Sequence, residues 1–251
     1  MSTSPTRKHW LRNSFATLSL SVLLIGTAHA GPGGMIARAA FETLPGRIVL
    51  GCLVILFAPL IIYNYILEKR AAKRALQDLN YMARLSPAFD WLRLRERATD
   101  CFQRVHSAWS DEDVSSVAGW MEDWYWQNQQ LVHLNKWRSE GLVNVCNLKK
   151  INSIRPLLFL HKNEEGEHGN STLVLSITAN MQDYLRERNS ERIVEGSKTW
   201  KDVDTVWTLR LRDGVWRVAN IEEGATFLTY VKLVKLVPRI EETVVEYGNQ
   251  H

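Results

Sequence analysis

Between Ile48 and Leu67 the chain runs for twenty residues without one charged side chain. As a helix rising 1.5 Å per residue, that run reaches roughly 30 Å, the thickness of a bilayer's hydrocarbon core. Gly51, Pro59 and Asn64 are its only interruptions, and charge closes it on both sides, with Arg47 before it and Glu68-Lys69-Arg70 after it. Tyr63 and Tyr65 stand at one end, where an aromatic belt would meet the headgroups. These flanks favour a transmembrane helix over 48–67 rather than the buried helix of a soluble domain.

The residues before it have the three parts of a secretory signal: a basic start (Arg7, Lys8, Arg12), an apolar block from Phe15 to Ile25, and Ala28-His29-Ala30 ahead of Gly31-Pro32-Gly33-Gly34. A mitochondrial presequence is the rival reading, since no acidic residue precedes Glu42, but the continuous apolar block does not alternate apolar and basic faces. We therefore expect a signal over 1–30 and a short Gly-containing extracytoplasmic linker over 31–47. Lys69, Arg70, Lys73 and Arg74 crowd the C-terminal flank of the span, against Arg38 and Arg47 before it. The positive-inside rule then predicts a single-pass protein of the inner (cytoplasmic) membrane with its C-terminal domain in the cytoplasm. Cleavage of the signal does not alter that side.

Residues 68–86 read as a basic juxtamembrane helix with Ala72, Ala75, Leu76, Leu79 and Met82 as apolar positions. It either lies on anionic headgroups or forms a solvated linker. Lys69, Arg70, Lys73 and Arg74 are its candidate membrane contacts. Beyond Arg97 the chain holds eighteen basic and twenty-two acidic residues, so the domain lacks the basic balance of a nucleic-acid binder and no nucleic-acid partner is expected. Cys52, Cys101 and Cys146 show no metal-ligand or redox spacing and read as free thiols.

From 87 onward the pattern is first helical, then strand-like. Ser86-Pro87 reads as a helix start, followed by Trp91, Leu94, Ala98, Phe102, Val105 and Trp109 at steps of three and four. Ser110 with Asp113 predicts a second helix by a capping-box pattern, with Val114, Val117, Met121, Trp124, Tyr125 and Leu131 as its core face. After Gly141, strands are expected near Leu142–Ile154 and Leu157–His161. Strict alternation marks a third, in which Leu173, Leu175, Ile177, Ala179 and Met181 share one face. Asp213-Gly214 suits a type I′ hairpin turn, pairing Leu211 with Trp216 and Leu209 with Val218. The fold class is α+β, two N-terminal helices on a curved antiparallel sheet, preceded by the transmembrane helix.

Trp126 lies about 200° round a helical wheel from Trp124 and leads a second stripe through Gln130, His133 and Trp137. Either that stripe is a second buried side, or Trp126 and Trp137 form an exposed patch for a partner or the membrane interface. The tail from Ala225 to Val237 is apolar with two lysines, and its period does not separate strand from helix; an extension packed on the domain is expected over 223–251. Among titratable groups, His106, His161, Asp183 and Tyr184 are the candidates for acid-base chemistry. The seven histidines are scattered without metal or nucleophile spacing, so neither an enzyme nor a cofactor is expected.

Trp109 with Asp113, Gly141 with Asn144, Asp183-Tyr184, Ile193-Val194-Glu195-Gly196, Trp207-Thr208-Leu209 and Trp216-Arg217-Val218-Ala219-Asn220-Ile221 fall in the order seen in the Tim44-like domain. The resemblance covers about 87–222 and rests on order and spacing rather than on any one motif. It implies a cone-shaped fold like that of nuclear transport factor two, with the sheet curved around an apolar pocket. It also implies a non-enzymatic scaffold at a membrane, binding a protein partner or anionic lipid such as cardiolipin and linked to protein translocation or membrane-protein assembly. The chain departs from the mitochondrial import-motor subunit in having its own membrane span and in lacking that protein's long N-terminal region. Two further classes stay open: a periplasmic cone-fold subunit of a type IV secretion-like apparatus, and a small-molecule enzyme or carrier using the cone pocket.

Overall fold

Helix α1, Leu44–Met82, is one unbroken helix of 39 residues with Pro59 inside it. The computed structural model describes residues 43–163 and 167–248, so the expected signal and the linker up to Glu42 lie outside the described residues. The chain divides into two units after Ile61. In the first, the helix is an apolar cylinder, with a mean hydropathy of 2.3 over its most apolar stretch and none of that stretch buried. By length and composition it is a candidate membrane span. Pro59 removes one i to i−4 hydrogen bond without ending the helix.

In the second unit, from Ile62, α1 becomes a core element. Leu67, Ala71, Ala75, Leu79 and Met82 are buried at steps of four and three, the spacing that keeps side chains on one helix face. The buried stripe differs from the expected one: Leu67 and Ala71 join it, while Ala72 and Leu76 are only half-buried. The apolar face is thus occupied by protein rather than by headgroups or solvent. Leu67 and Ala71 close on Leu157, Leu158, Val174 and Val206 of the sheet, and the small alanines let the helix approach it closely.

The sheet is a four-stranded antiparallel meander of β1 (Leu142–Leu160), β2 (Thr172–Glu187), β3 (Ile193–Arg212) and β4 (Val215–Glu223), in that order. The two strands expected near 142–161 are one strand with register shifts after Leu148, Ile151 and Pro156. Such bulges bend a strand and increase its twist, and Pro156 is tolerated because β1 is an edge. The Asp213-Gly214 turn has both residues at positive φ, 50° and 72°, and Leu211 faces Trp216 and Leu209 faces Val218 as its chemistry predicts. Gly196 is required for a different reason. At φ +78° an added Cβ would stand 2.3 Å from the Asp183 carbonyl oxygen and 2.7 Å from the Tyr184 Cα.

The alternating residues Leu173, Leu175, Ile177, Ala179 and Met181 are all within 1 % of complete burial. They pack under α2 (Trp91–Ser110), whose Leu94, Ala98, Cys101, Phe102, Val105 and Ala108 point inward. Helix α2 begins later than expected. Ser86 caps only a 3-10 turn over Pro87–Phe89, and the α2 cap is Asp90, whose carboxylate accepts from the Arg93 amide at 3.0 Å.

The expected second helix is interrupted. Ser110 does not cap it; its Oγ accepts from the Cys146 amide at 3.1 Å. Asp113 instead caps a 3-10 segment over Val114–Trp120. Met121 and Glu122 are then extended, with Met121 bridged to Val218 and the Glu122 amide donating to the Val218 carbonyl at 2.8 Å. After this break come α3 (Asp123–Asn128), a π segment (Gln129–Leu134) and α4 (Asn135–Ser139). The tail is helical: α5 (Phe227–Leu233), whose Val231 packs with Leu157, Leu158 and Val174, and α6 (Ile240–Gly248), whose Ile240 joins the core under α2.

The core under the sheet is apolar and shielded from solvent. Phe102, Met121, Leu134, Met181 and Trp207 occupy the interior, each at most 2 % exposed. Two small cavities, about 40 and 10 Å³, are lined by α1, the end of β1 and the C-terminal segment; they hold at most a water or two.

Candidate functional site

Strand register separates His161 from Asp183, whereas Asp183 lies near enough to His106 on α2 for its charge to act on that ring. Cys146 faces Asp183 across β1 and β2, while His161 follows the far end of β1, where Leu160 faces Thr172. His106 stacks on Phe102 (4.1 Å between centroids) and Trp207 (5.7 Å), and its Nδ1 lies 2.8 Å from the Phe102 carbonyl oxygen. Burial lowers its pKa and keeps the ring neutral. The Cys146 thiol donates to Asp183 Oδ1 at 3.3 Å and accepts from Asn144 Nδ2 at 3.1 Å. Burial, then the Asp183 charge, pushes that thiol far above its ordinary range. A protonated thiol used as a donor is the opposite of an activated nucleophile.

The four juxtamembrane cations fall into two groups. Lys69, Arg70 and Lys73 are exposed, with Lys69 Nζ 5.3 Å from the Tyr65 ring centroid. Arg74 is turned into the domain. Its Nη2 donates to the Val237 and Pro238 carbonyls at 2.9 Å each and its Nη1 to Val234 at 3.3 Å, with Asp78 3.7 Å from Nε. Those carbonyls end the helical segment after α5, so Arg74 satisfies groups that have no intrahelical partner.

Of the tryptophans, Trp126 and Trp137 follow the buried alternative and Trp124 departs from its expected place. Trp126 and Trp137 are half-buried and packed against the core, with Trp126 Nε1 3.3 Å from Asp123 and Trp137 5.7 Å from the His133 ring. Trp124, expected inside, is 56 % exposed, and Leu131, also expected inside, is 66 % exposed beside Val132 at 49 %. The cause is the extended break at Met121–Glu122 together with the π segment. Tyr125, Gln129 and Leu134 become the buried positions, at spacings of four and then five, and the i to i+5 turn carries the buried stripe past Leu131. No residue pattern marks a π segment in advance, which is why sequence periodicity misses this face.

Trp124 is exposed but fixed. Its indole N–H donates to Glu122 Oε2 at 2.7 Å, and Glu122, 5 % exposed, also accepts from Arg210 Nη1 at 3.0 Å and Arg212 Nε at 3.1 Å. A buried carboxylate with three charged or polar donors thus holds an aromatic ring out toward solvent. Trp124 on α3 and Leu131 and Val132 on the π segment after it are the exposed large apolar side chains of this region.

No curated protein matches the chain. Among solved structures, the intermembrane-space region of the chloroplast protein ARC6 is similar at 7 % identity, over 50 % of this chain and 92 % of that one, with a TM-score of 0.35. The model of the Tim44-like domain matches residues 76–223, well over half of the sequence and all of the sheet, and the chain belongs to the Tim44-like domain family.

Proposed function

We propose that the protein is a membrane-anchored, non-enzymatic scaffold whose Tim44-like domain docks a protein partner through the Trp124, Leu131 and Val132 face. The reading is carried by helix α1: the stretch that is long and apolar enough to span a bilayer runs without a turn into the stretch that completes the domain's core. In this reading α1 crosses the inner (cytoplasmic) membrane with the domain on the cytoplasmic side, and Lys69, Arg70 and Lys73 meet anionic headgroups, each contributing about 1 kcal/mol. Work of this kind belongs to protein translocation or membrane-protein assembly.

The test is a pair of C-terminal fusions in a bacterial host, one to a phosphatase active only in the periplasm and one to a fluorescent protein that matures only in the cytoplasm. Fluorescence without phosphatase activity is expected. In the same cells a photo-crosslinking residue at Leu131 should give a discrete product that Trp124→Ala abolishes. Phosphatase activity would overturn the orientation and favour a periplasmic secretion subunit; a Leu131 product indifferent to Trp124 would remove the docking face.

A further inference from the structure

Arg97 and Arg104 lie seven residues apart on α2, two turns along one face. Both reach the same ring: their guanidinium carbons stand 3.6 and 4.4 Å from the centroid of Trp120. Trp120 ends the 3-10 segment just before the chain becomes extended beside β4. Arg97 Nε donates to the Trp216 carbonyl on that strand at 2.9 Å, which fixes the plane of its guanidinium. Among the described residues, neither Arg97 nor Arg104 is in an ion pair, and no protein acceptor meets the Arg97 Nη groups.

The surroundings add positive charge. Arg104 and, less strongly, Arg217 on β4 act on Arg97 as like charges, against the opposite charge of Asp100. Arg217 Nε is buried without a hydrogen-bond partner, and its Nη2 has only the exposed Asp213 at 3.5 Å. Arg210, opposite Arg217 in the register, shares Glu122 with Arg212. Asp100, on α2 between Arg97 and Arg104, is the remaining nearby carboxylate, and it bonds to neither.

A guanidinium stacked on an indole keeps its in-plane N–H donors directed sideways, the arrangement that grips a planar oxyanion through two parallel bonds. We infer that Arg97 and Arg104, both over the Trp120 ring, form a binding site for the carboxylates of an acidic protein segment. The site deepens the scaffold reading and rests on it: Trp120 and Trp124 flank Glu122 in sequence, so the arginines would take the acidic residues of a partner whose apolar side chain covers Trp124. Fixed arginine planes interleaved with tryptophan are the composition of a protein interface hot spot. A sheet of mobile headgroups requires no such fixed planes.

The test uses the full chain in nanodiscs of phosphatidylcholine alone. The probes are two fluorescein-labelled twelve-residue peptides, one alternating glutamate with leucine and one with glutamine in place of glutamate, followed by fluorescence anisotropy. Loss of charge-assisted hydrogen bonds should weaken the glutamate peptide about tenfold in Arg97→Gln/Arg104→Gln. Arg104→Gln alone removes an exposed side chain and no hydrogen bond, so it keeps the fold and should still weaken binding several-fold. Lys149→Gln/Lys150→Gln, on exposed β1 positions, should leave binding unchanged, and the glutamine peptide should bind poorly. Equal binding of the two peptides, or equal loss in the lysine variant, would overturn the assignment. So would a site whose arginine variants alter only association with phosphatidylglycerol nanodiscs, which would make it a lipid contact. If the Leu131 crosslink persists while the arginine variants change nothing, the scaffold reading stands and the acidic-segment assignment alone falls.

Discussion

Glu122 ties three parts of the domain together. It is 5 % exposed, yet it serves Arg210, Arg212 and the Trp124 indole, while its amide ties the chain to Val218. Burying a carboxylate is unfavourable unless its partners repay the lost hydration. Removing its charge takes from Arg210 and Arg212 the carboxylate they share. Because those arginines are 34 % and 32 % exposed, water screens part of the penalty, and Glu122→Gln is expected to destabilise the domain by about 2 kcal/mol rather than the 3–5 of a fully buried pair. Urea denaturation followed by far-UV circular dichroism measures this. Tryptophan anisotropy should fall in the folded variant as Trp124 loses its tether. An unchanged midpoint would mean that the three contacts merely balance desolvation, and that Trp124 is held by packing on Tyr125, 5.4 Å away.

At the scale of elements, what the sequence makes legible depends on whether a feature is local. The β2 alternation, the Asp213-Gly214 turn and the α2 stripe are dictated by spacings of two to four residues, and all three stand where those spacings place them. Trp124 and Leu131 could not be placed in this way, because their exposure follows from a strand-like contact with Val218 far along the chain and from a π turn. The exposed apolar residues of α3 and the π segment are therefore the least legible part of the described residues. The connection from β1 to β2 is a similar case. His161 Nε2 lies 3.1 Å from His168 Nδ1, and His161 Nδ1 lies 3.2 Å from Thr243 Oγ1 on α6, a long-range cluster no spacing announces. Burial first, then the neighbouring His168, lowers the His161 pKa from 6.5 to about 4, and burial lowers His168 as well. Between those values the unfolded chain binds more protons than the folded one, so stability is fully present above about 6.5 and is lost as pH falls toward 4. Asp78, lining the same cavity, works in the opposite sense: burial raises its carboxyl, so the folded state takes up its proton first. Urea midpoints should fall between pH 7 and pH 4.5, and His168→Asn should flatten that slope. A slope identical in the variant would assign the pH response to groups elsewhere.

For the molecule as a whole, the consequential fact is that α1 belongs to both units. The usual arrangement of a tethered domain places a flexible connector between anchor and fold. Here Ala75, Leu79 and Met82 are at most 2 % exposed and sit in the same core as Phe89, Phe102 and Trp216. The juxtamembrane segment is therefore structural before it is electrostatic, and its exposed cations Lys69, Arg70 and Lys73 ride on the back of a core helix. Losing a buried Leu or Met side chain costs about 2–5 kcal/mol, so losing the stripe's Leu67, Leu79 and Met82 is comparable with the whole ~5–15 kcal/mol that holds a domain of this size together. A chain of residues 62–251 is expected to fold and unfold cooperatively without a membrane, whereas residues 83–251, which still contain most of the family-matched region, are expected to lack a cooperative transition. Thermal unfolding by circular dichroism and amide exchange of the β2 core would decide it. A cooperative transition in 83–251 would reduce the end of α1 to an appendage. Its absence would mean that the buried stripe at the end of α1 is part of the fold rather than a connector to it.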